Sequence, residues 1–291
     1  MAESAHLRIG ALSRRVGVSP ELLRAWEQRY GLLRPVRSAG GFRLYSSVDE
    51  ERVHAMRRHL EAGVSAAQAA RLALGEPPRD AGDDGSVAGL TRLSTELRAA
   101  LDRLDEPGAH AIVDRLLASF TLLTVLRDVV LPYLRELGAR WERGEATVAQ
   151  EHFASNVLRG RLLGLARSWG QGTGPRAVLA CAPGELHDLP LIVFGLALAE
   201  RGWLITYLGA DTPIATIHDA LADVEPRLVV VAAMMTPRLR AAQQELTELA
   251  RSVPVALAGA GATAALARAT GASLLEGDPI TAAERVAGEL R

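Results

Sequence analysis

Residues 177–190 read AVLACAPGELHDLP. A run of small and apolar side chains that breaks at Pro-Gly into Glu185, His187 and Asp188 is the pattern of a strand covered on both faces and ending in a polar loop. Similar short apolar runs recur at 203–208, 228–233, 253–257 and 272–275, with a helical stretch between each pair. This alternation predicts a doubly wound, five-stranded parallel sheet over residues 174–291, with helices on both faces. Ligands of open sheets sit beyond the carboxyl ends of the strands, which gathers the loops at 182–190, 209–213, 233–237 and 258–262 around one site.

Upstream, residues 90–173 place apolar side chains at helical spacing, as in Leu116, Leu117, Phe120 and Leu123, then Val130, Leu131, Leu134 and Leu137. The spacing predicts a four-helix bundle. A capping box at Thr147 and Gln150 restarts a helix after a break near Gly144, and that helix carries Glu151 and His152. Residues 76–89, rich in Pro, Gly and acids, read as a flexible linker. Residues 1–75 read as a small helical domain capped by Ser19 before Pro20, by Ser47 with Glu50, and by Ser65 with Gln68. The expected class is therefore α plus α/β, in several domains.

Of the 291 residues, 48% are hydrophobic and 23% charged, enough for two or three cores. No apolar run is long enough for a membrane span, and arginines and carboxylates stand where a signal peptide would be apolar, so a cytoplasmic protein is expected. Cys181 is the single cysteine, which removes intramolecular disulfides and thiolate metal cages. Net charge is -1, but residues 1–75 hold 12 Arg against 7 acids and the remainder 21 Arg against 27 acids. The N-terminal part is the polyanion candidate.

Residues 7–30 give a helix, a tight turn at Gly17 and a second helix opening at Ser19. That second helix presents Glu21, Arg24 and Arg29 outward, with Arg14 on the first, while Leu22, Leu23 and Trp26 are expected to pack inward. In RSAGGFRLYS (37–46), Gly40 and Gly41 sit between basic and aromatic residues. This reads as a hairpin wing whose Arg37 and Arg43 reach phosphates, with Tyr45 packing or donating its hydroxyl. The stretch LRIGALSRRVGVSPELLRAWEQRYGLLRPVRSAGGFRLYS (7–46) resembles the winged-helix DNA-binding domain of MerR-type regulators. That resemblance implies double-stranded operator DNA as partner. Since one wing and one helix bury a modest interface, tight binding requires a homo-oligomer, a dimer or tetramer on repeated half-sites.

The sheet loop carries the second candidate chemistry. A neutral His187 at the sheet edge, with Glu185 able to hold its second nitrogen, suits an axial metal ligand. On the plainer reading, Asp188 caps the next helix, Pro190 lies in its first turn, and His187 is a loop residue. Trp141, Glu151 and His152 form W-x9-E-H, a flat ring with an acid and an imidazole suited to a planar ligand; otherwise the indole is core and the pair exposed.

Taken with YLGADTP (207–213), these motifs resemble the cobalamin-binding module of CarH/LitR-type light-responsive repressors. The resemblance implies a Rossmann-like, flavodoxin-like cobalamin fold and base-off adenosylcobalamin with His187 as lower cobalt ligand. It also implies Trp141 and Glu151 beside the adenosyl group with His152 close by, and cofactor contacts from Glu185, Asp188, Leu189, Asp211, Thr212, Gly259 and Gly261. On the same resemblance, intact cofactor holds an oligomer on DNA, in competition with RNA polymerase, and light releases it. Three positions depart from the pattern: Pro190 replaces a glycine, Ala232 or Ala233 replaces a small hydroxyl residue, and Glu142 stands where a second histidine would trap a photoproduct. Pro190 and Ala232 motivate an alternative, a MerR-type regulator whose cobalamin fold has lost its cofactor. A mutase or methyltransferase would need a substrate domain with its own acid–base groups, and none is visible, so a non-enzyme is expected.

Overall fold

The computed structural model describes residues 7–37, 41–61, 66–75 and 85–289. They fall into two compact units, Met1–Gln150 and Glu151–Arg291.

The first unit opens with α1 (Ile9–Val16) and α2 (Pro20–Tyr30), followed by β1 (Val36–Arg37), β2 (Arg43–Leu44), α3 (Ser47–Glu61) and α4 (Ala66–Ala73). Gly17 turns the chain between α1 and α2 at φ +66°, where a β-carbon would cost about 1 kcal/mol. Ser19 Oγ then accepts the Leu22 N–H at 3.2 Å and Pro20 fills the first turn, so the predicted cap is present. Leu12, Val16, Leu23, Trp26 and Met56 form the core. Leu22 does not join them: it is 44% exposed, because the first turn of α2 leaves it at the margin of the stripe that Leu23 and Trp26 centre.

The cap of α3 lies one residue earlier than expected. Ser46 Oγ accepts the Asp49 N–H at 3.2 Å, and the Asp49 carboxylate accepts the Ser46 N–H at 2.9 Å. The buried Asp49 also takes the Arg34 N–H at 2.9 Å, a second donor that favours this register over Ser47 with Glu50. Glu50 pairs instead with Arg15 at 3.0 Å. The expected cap at Ser65 and the wing tip at Gly40 lie outside the described residues.

The helices that follow are α5 (Val87–Asp102), α6 (Glu106–Ser119), α7 (Leu122–Val125), a π turn (Leu126–Val130), α8 (Leu131–Glu142) and α9 (Val148–Leu165). Ser86 caps α5 through the Gly89 N–H at 2.9 Å, so the helix begins inside the stretch read as linker. The π turn has a local cause. Pro132 lacks an N–H and its ring would strike the carbonyl four residues back, and the wider turn relieves both. At the far end the Thr147–Gln150 box forms as expected, with N–H donors at 3.0 and 3.2 Å. Gln150 Nε2 also donates to the Asp102 carbonyl, and Arg140 pairs with the Asp102 carboxylate, both at 3.0 Å.

The second unit takes α9 from Glu151 onward and continues as β3 (Arg176–Cys181), α10 (Leu189–Ala199), β4 (Leu204–Gly209), α11 (Ile214–Val224), β5 (Leu228–Ala232), α12 (Thr236–Ala241), α13 (Gln243–Ser252), β6 (Val255–Ala258), α14 (Ala264–Thr270), β7 (Ser273–Leu274) and α15 (Pro279–Glu289). All five strands are parallel in the order β4-β3-β5-β6-β7, and each matches one of the five apolar runs. The first strand lies inside the order, so the chain direction reverses beside it and opens a crevice at its carboxyl end. Helix α10, LPLIVFGLALA, is apolar all round because it is buried all round, packing on the sheet and on α15. No helix among the described residues is long and apolar enough to cross a membrane.

Candidate functional site

The loop after β3 is organised by Glu185, whose side chain is only 3% exposed. Its Oε1 accepts the His187 N–H at 2.9 Å and meets His187 Nδ1 at 2.5 Å, and its Oε2 accepts the Met234 N–H at 2.8 Å. Burial alone would raise its pKa, but the backbone N–H groups of His187 and Met234 and the imidazole outweigh that and hold the carboxyl below its ordinary range. An ionised carboxylate only accepts, so Nδ1 carries the proton, and in the neutral ring Nε2 is the nitrogen with the lone pair. The ring itself is 67% exposed, and the neighbouring Leu186, Met234 and Met235 are exposed apolar side chains.

The other loops are stitched to this one. The Gly184 N–H donates to Asp211 at 2.6 Å and the Asp211 N–H to the Glu185 carbonyl at 2.9 Å. The Gly261 N–H reaches the Ala233 carbonyl, and the Ala233 N–H the Ala258 carbonyl. The four loops named from sequence thus share one strand edge.

Several residues grouped with the binding set do other work there. Asp188 stands at the N-cap position of α10 without capping it; buried, it accepts Arg159 Nε at 2.8 Å on one oxygen and the Tyr207 hydroxyl at 2.7 Å on the other. These donors come from α9 and β4 and take both oxygens, so Asp188 is a fastening group. Leu189 is buried. Thr212 is buried too, its hydroxyl donating to the Gly209 carbonyl at 3.1 Å. Gly259 and Gly261 are required by the chain itself: a β-carbon would lie 2.4 Å from the Ala233 carbonyl oxygen at one and 2.5 Å from Met235 backbone at the other. Pro190 sits in the first turn of α10, where a missing N–H leaves no helical bond unmade.

On the same unit, His152 Nδ1 meets the Glu151 carboxylate at 2.6 Å, and Ser155 Oγ donates to that carboxylate at 2.8 Å. Nε2 of His152 is again the outward nitrogen. In the first unit, Trp141 ends α8 with its indole exposed, and Glu142 is exposed beside it. The indole is not core.

Among the described residues no group of three or more His, Cys, Asp or Glu could cage a metal. A single outward imidazole can serve only a metal that brings most of its own ligands. The loops at this edge also expose Leu186, Met234 and Met235, apolar side chains of the kind that line a site for a largely apolar ligand.

The DNA-binding candidates divide likewise. Arg14, Ser19, Glu21, Arg24 and Arg29 are exposed on α1 and α2, and Arg37 and Arg43 face each other across the hairpin. Tyr45 is fully buried and donates its hydroxyl to Glu27 at 2.8 Å, so it belongs to the scaffold. Its ring belongs to the core of this domain, and burial first, then the Glu27 bond, raises its pKa. Glu27 went unread in the sequence because its partners come from the hairpin, and Asp49 because the neighbouring Ser47–Glu50 spacing offered the same box one residue later.

A winged helix-turn-helix joined to a doubly wound parallel sheet whose carboxyl edge carries the exposed His187 is the architecture of a DNA-reading domain linked to a ligand-binding module. Residues 7–76 match the MerR HTH family regulatory protein model, and residues 93–163 and 175–284 match two B12 binding domain models. The chain belongs to the family of the HTH-type transcriptional repressors CarH and CarA. It is 33% identical to CarH of Myxococcus xanthus over 87% of either chain, and 34% identical to CarA of the same organism over 88% of this chain and 87% of that one. The monomethylamine corrinoid protein of Methanosarcina barkeri shares the fold at 18% identity, with a TM-score of 0.58 over 68% of this chain and 98% of that one.

Proposed function

We propose that this chain is a transcriptional repressor, not an enzyme, whose hold on operator DNA is set by adenosylcobalamin. The observation that carries the reading is the Glu185–His187 pair: a buried carboxylate fixes Nδ1 and leaves Nε2 free at the carboxyl edge of the sheet. In this reading His187 would hold the cobalt of adenosylcobalamin, and Trp141, Glu151 and His152 would be the residues that meet its adenosyl group. The bound cofactor supplies a cobalt–carbon bond that visible light breaks. The protein supplies the rest: Glu185 orients the imidazole, Leu186, Met234 and Met235 offer apolar surface on the loops beside it, and Arg14, Arg24, Arg37 and Arg43 meet DNA. The repressor acts as a homo-oligomer in the cytoplasm. A thousandfold change in DNA occupancy needs roughly 4 kcal/mol of differential cofactor affinity between the two states.

The test is an absorbance spectrum of protein incubated in the dark with adenosylcobalamin, desalted and then illuminated with green light. A red protein whose spectrum shifts on illumination, and whose His187→Ala variant loses colour or switching, supports the proposal. A colourless protein that ignores the cofactor overturns it.

One observation favours a second reading. Ala232, at the carboxyl end of β5, offers no hydroxyl, as in a module that has given up its nucleotide tail. A regulator of that kind binds DNA identically with and without cobalamin, and His187→Ala leaves it unchanged.

A further inference from the structure

One carboxylate joins the second helix to the wing. Glu27 on α2 pairs through Oε1 with Arg43 Nε at 3.0 Å, and through Oε2 it accepts the buried Tyr45 hydroxyl at 2.8 Å. Arg43 is 51% exposed. With Nε turned to Glu27, the guanidinium keeps both terminal nitrogens for an outside acceptor. Arg37 lies directly across the hairpin from Arg43 and has no ion-pair partner among the described residues. Like charges directly opposite each other weaken a hairpin, and a phosphate between them removes that penalty.

We infer that Glu27 is a positioning residue for a DNA backbone contact: it fixes the Arg43 fork so that its free nitrogens meet a phosphate. The inference rests on reading residues 7–75 as a DNA-binding domain. Two effects of Glu27 oppose each other. Its charge repels a polyanion and partly neutralises Arg43, while its hydrogen bonds remove the rotamer freedom Arg43 would otherwise lose on binding. The sign of a substitution shows which prevails.

The experiment uses the full chain and a fluorescein-labelled duplex that the wild type enriches from a random 30-base-pair pool, with Kd followed by anisotropy over a range of salt. Glu27→Gln is expected to weaken binding about tenfold on every duplex alike and to flatten the slope of log Kd against log salt by about one counterion. Arg43→Gln should do the same, and the double variant no more than either alone. Tyr45→Phe removes the other half of the strut and should leave the salt slope at its wild-type value. Glu27→Asp, which keeps the charge with a shorter reach, should fall between wild type and Glu27→Gln, and it carries the test if Glu27→Gln fails to fold by circular dichroism. Tighter binding by Glu27→Gln overturns the inference, as does weaker binding with an unchanged slope. A wild type that enriches no duplex overturns the DNA-binding reading itself. An enriched duplex to which Glu27→Gln is indifferent overturns the inference alone.

Discussion

Glu185 and Glu151 each hold an imidazole by Nδ1, but in opposite surroundings. Glu185 is buried, takes the Met234 N–H from the loop after β5, and grips both the ring and the backbone of His187. Glu151 precedes His152 directly on α9, and its other partner is the Ser155 hydroxyl one turn on. The first carboxylate can leave its place only if the seam between two loops opens; the second is held only by groups within one turn of its own helix. Burial of the carboxylate, more than its distance from the ring, separates a nitrogen built to stay from one free to move.

The largest expected effect breaks the buried half. Glu185→Ala leaves the His187 and Met234 N–H groups without their acceptor, at roughly 3 kcal/mol in total, and lowers cobalamin affinity about 10- to 100-fold. Urea unfolding and absorbance titration measure the two losses; a stability loss below about 1 kcal/mol would remove the distinction drawn here. Gly259→Ala comes next, because φ is +86° and the new β-carbon meets the Ala233 carbonyl. It should lower the urea midpoint by the equivalent of about 2 kcal/mol, and an unchanged midpoint would show that the seam yields easily.

On the exposed side, Glu151→Gln should change stability by less than about 0.5 kcal/mol, read in the same urea experiment. A cost matching that of Glu185→Ala would erase the contrast. The gentlest probe needs no substitution. Burial first, then the charges of Asp188 and Glu185, pushes the Cys181 thiol up to about 12 from an ordinary 9.0. Between those values only the unfolded chain loses the proton, so stability contributed below pH 9 is lost as pH rises toward 12. At pH 8 a maleimide should label Cys181 only through opening of the fold, at a rate that climbs with urea; prompt labelling in buffer would mean that the loop carrying His187 is loose.

Much of this was legible in the sequence. Five apolar runs announced five strands, and the i, i+2 spacing of Glu185 and His187 announced their bond, because both signals are local. The partners that decide roles are not local. Glu27 meets Tyr45 across 18 positions, Arg159 meets Asp188 across 29, and Glu185 meets Met234 across 49. Tyr45 read as a wing contact because a phenol on a basic hairpin suits either packing or phosphate, and only the neighbouring helix shows which. Asp188 looked available for the same reason. The glycines at 259 and 261 read as a ligand cradle, yet the neighbour that demands them is the chain's own backbone.

The wide turn at Leu126–Val130 has an arithmetic consequence. It holds one residue more than an α-turn, so everything downstream to Glu142 is rotated by about 100° from the phase set by α7. Removing that residue and replacing Pro132, whose clash the wide turn relieves, would swing the Trp141 ring off its present bearing without altering a single atom of the indole, and the length of the helix would scarcely register the change.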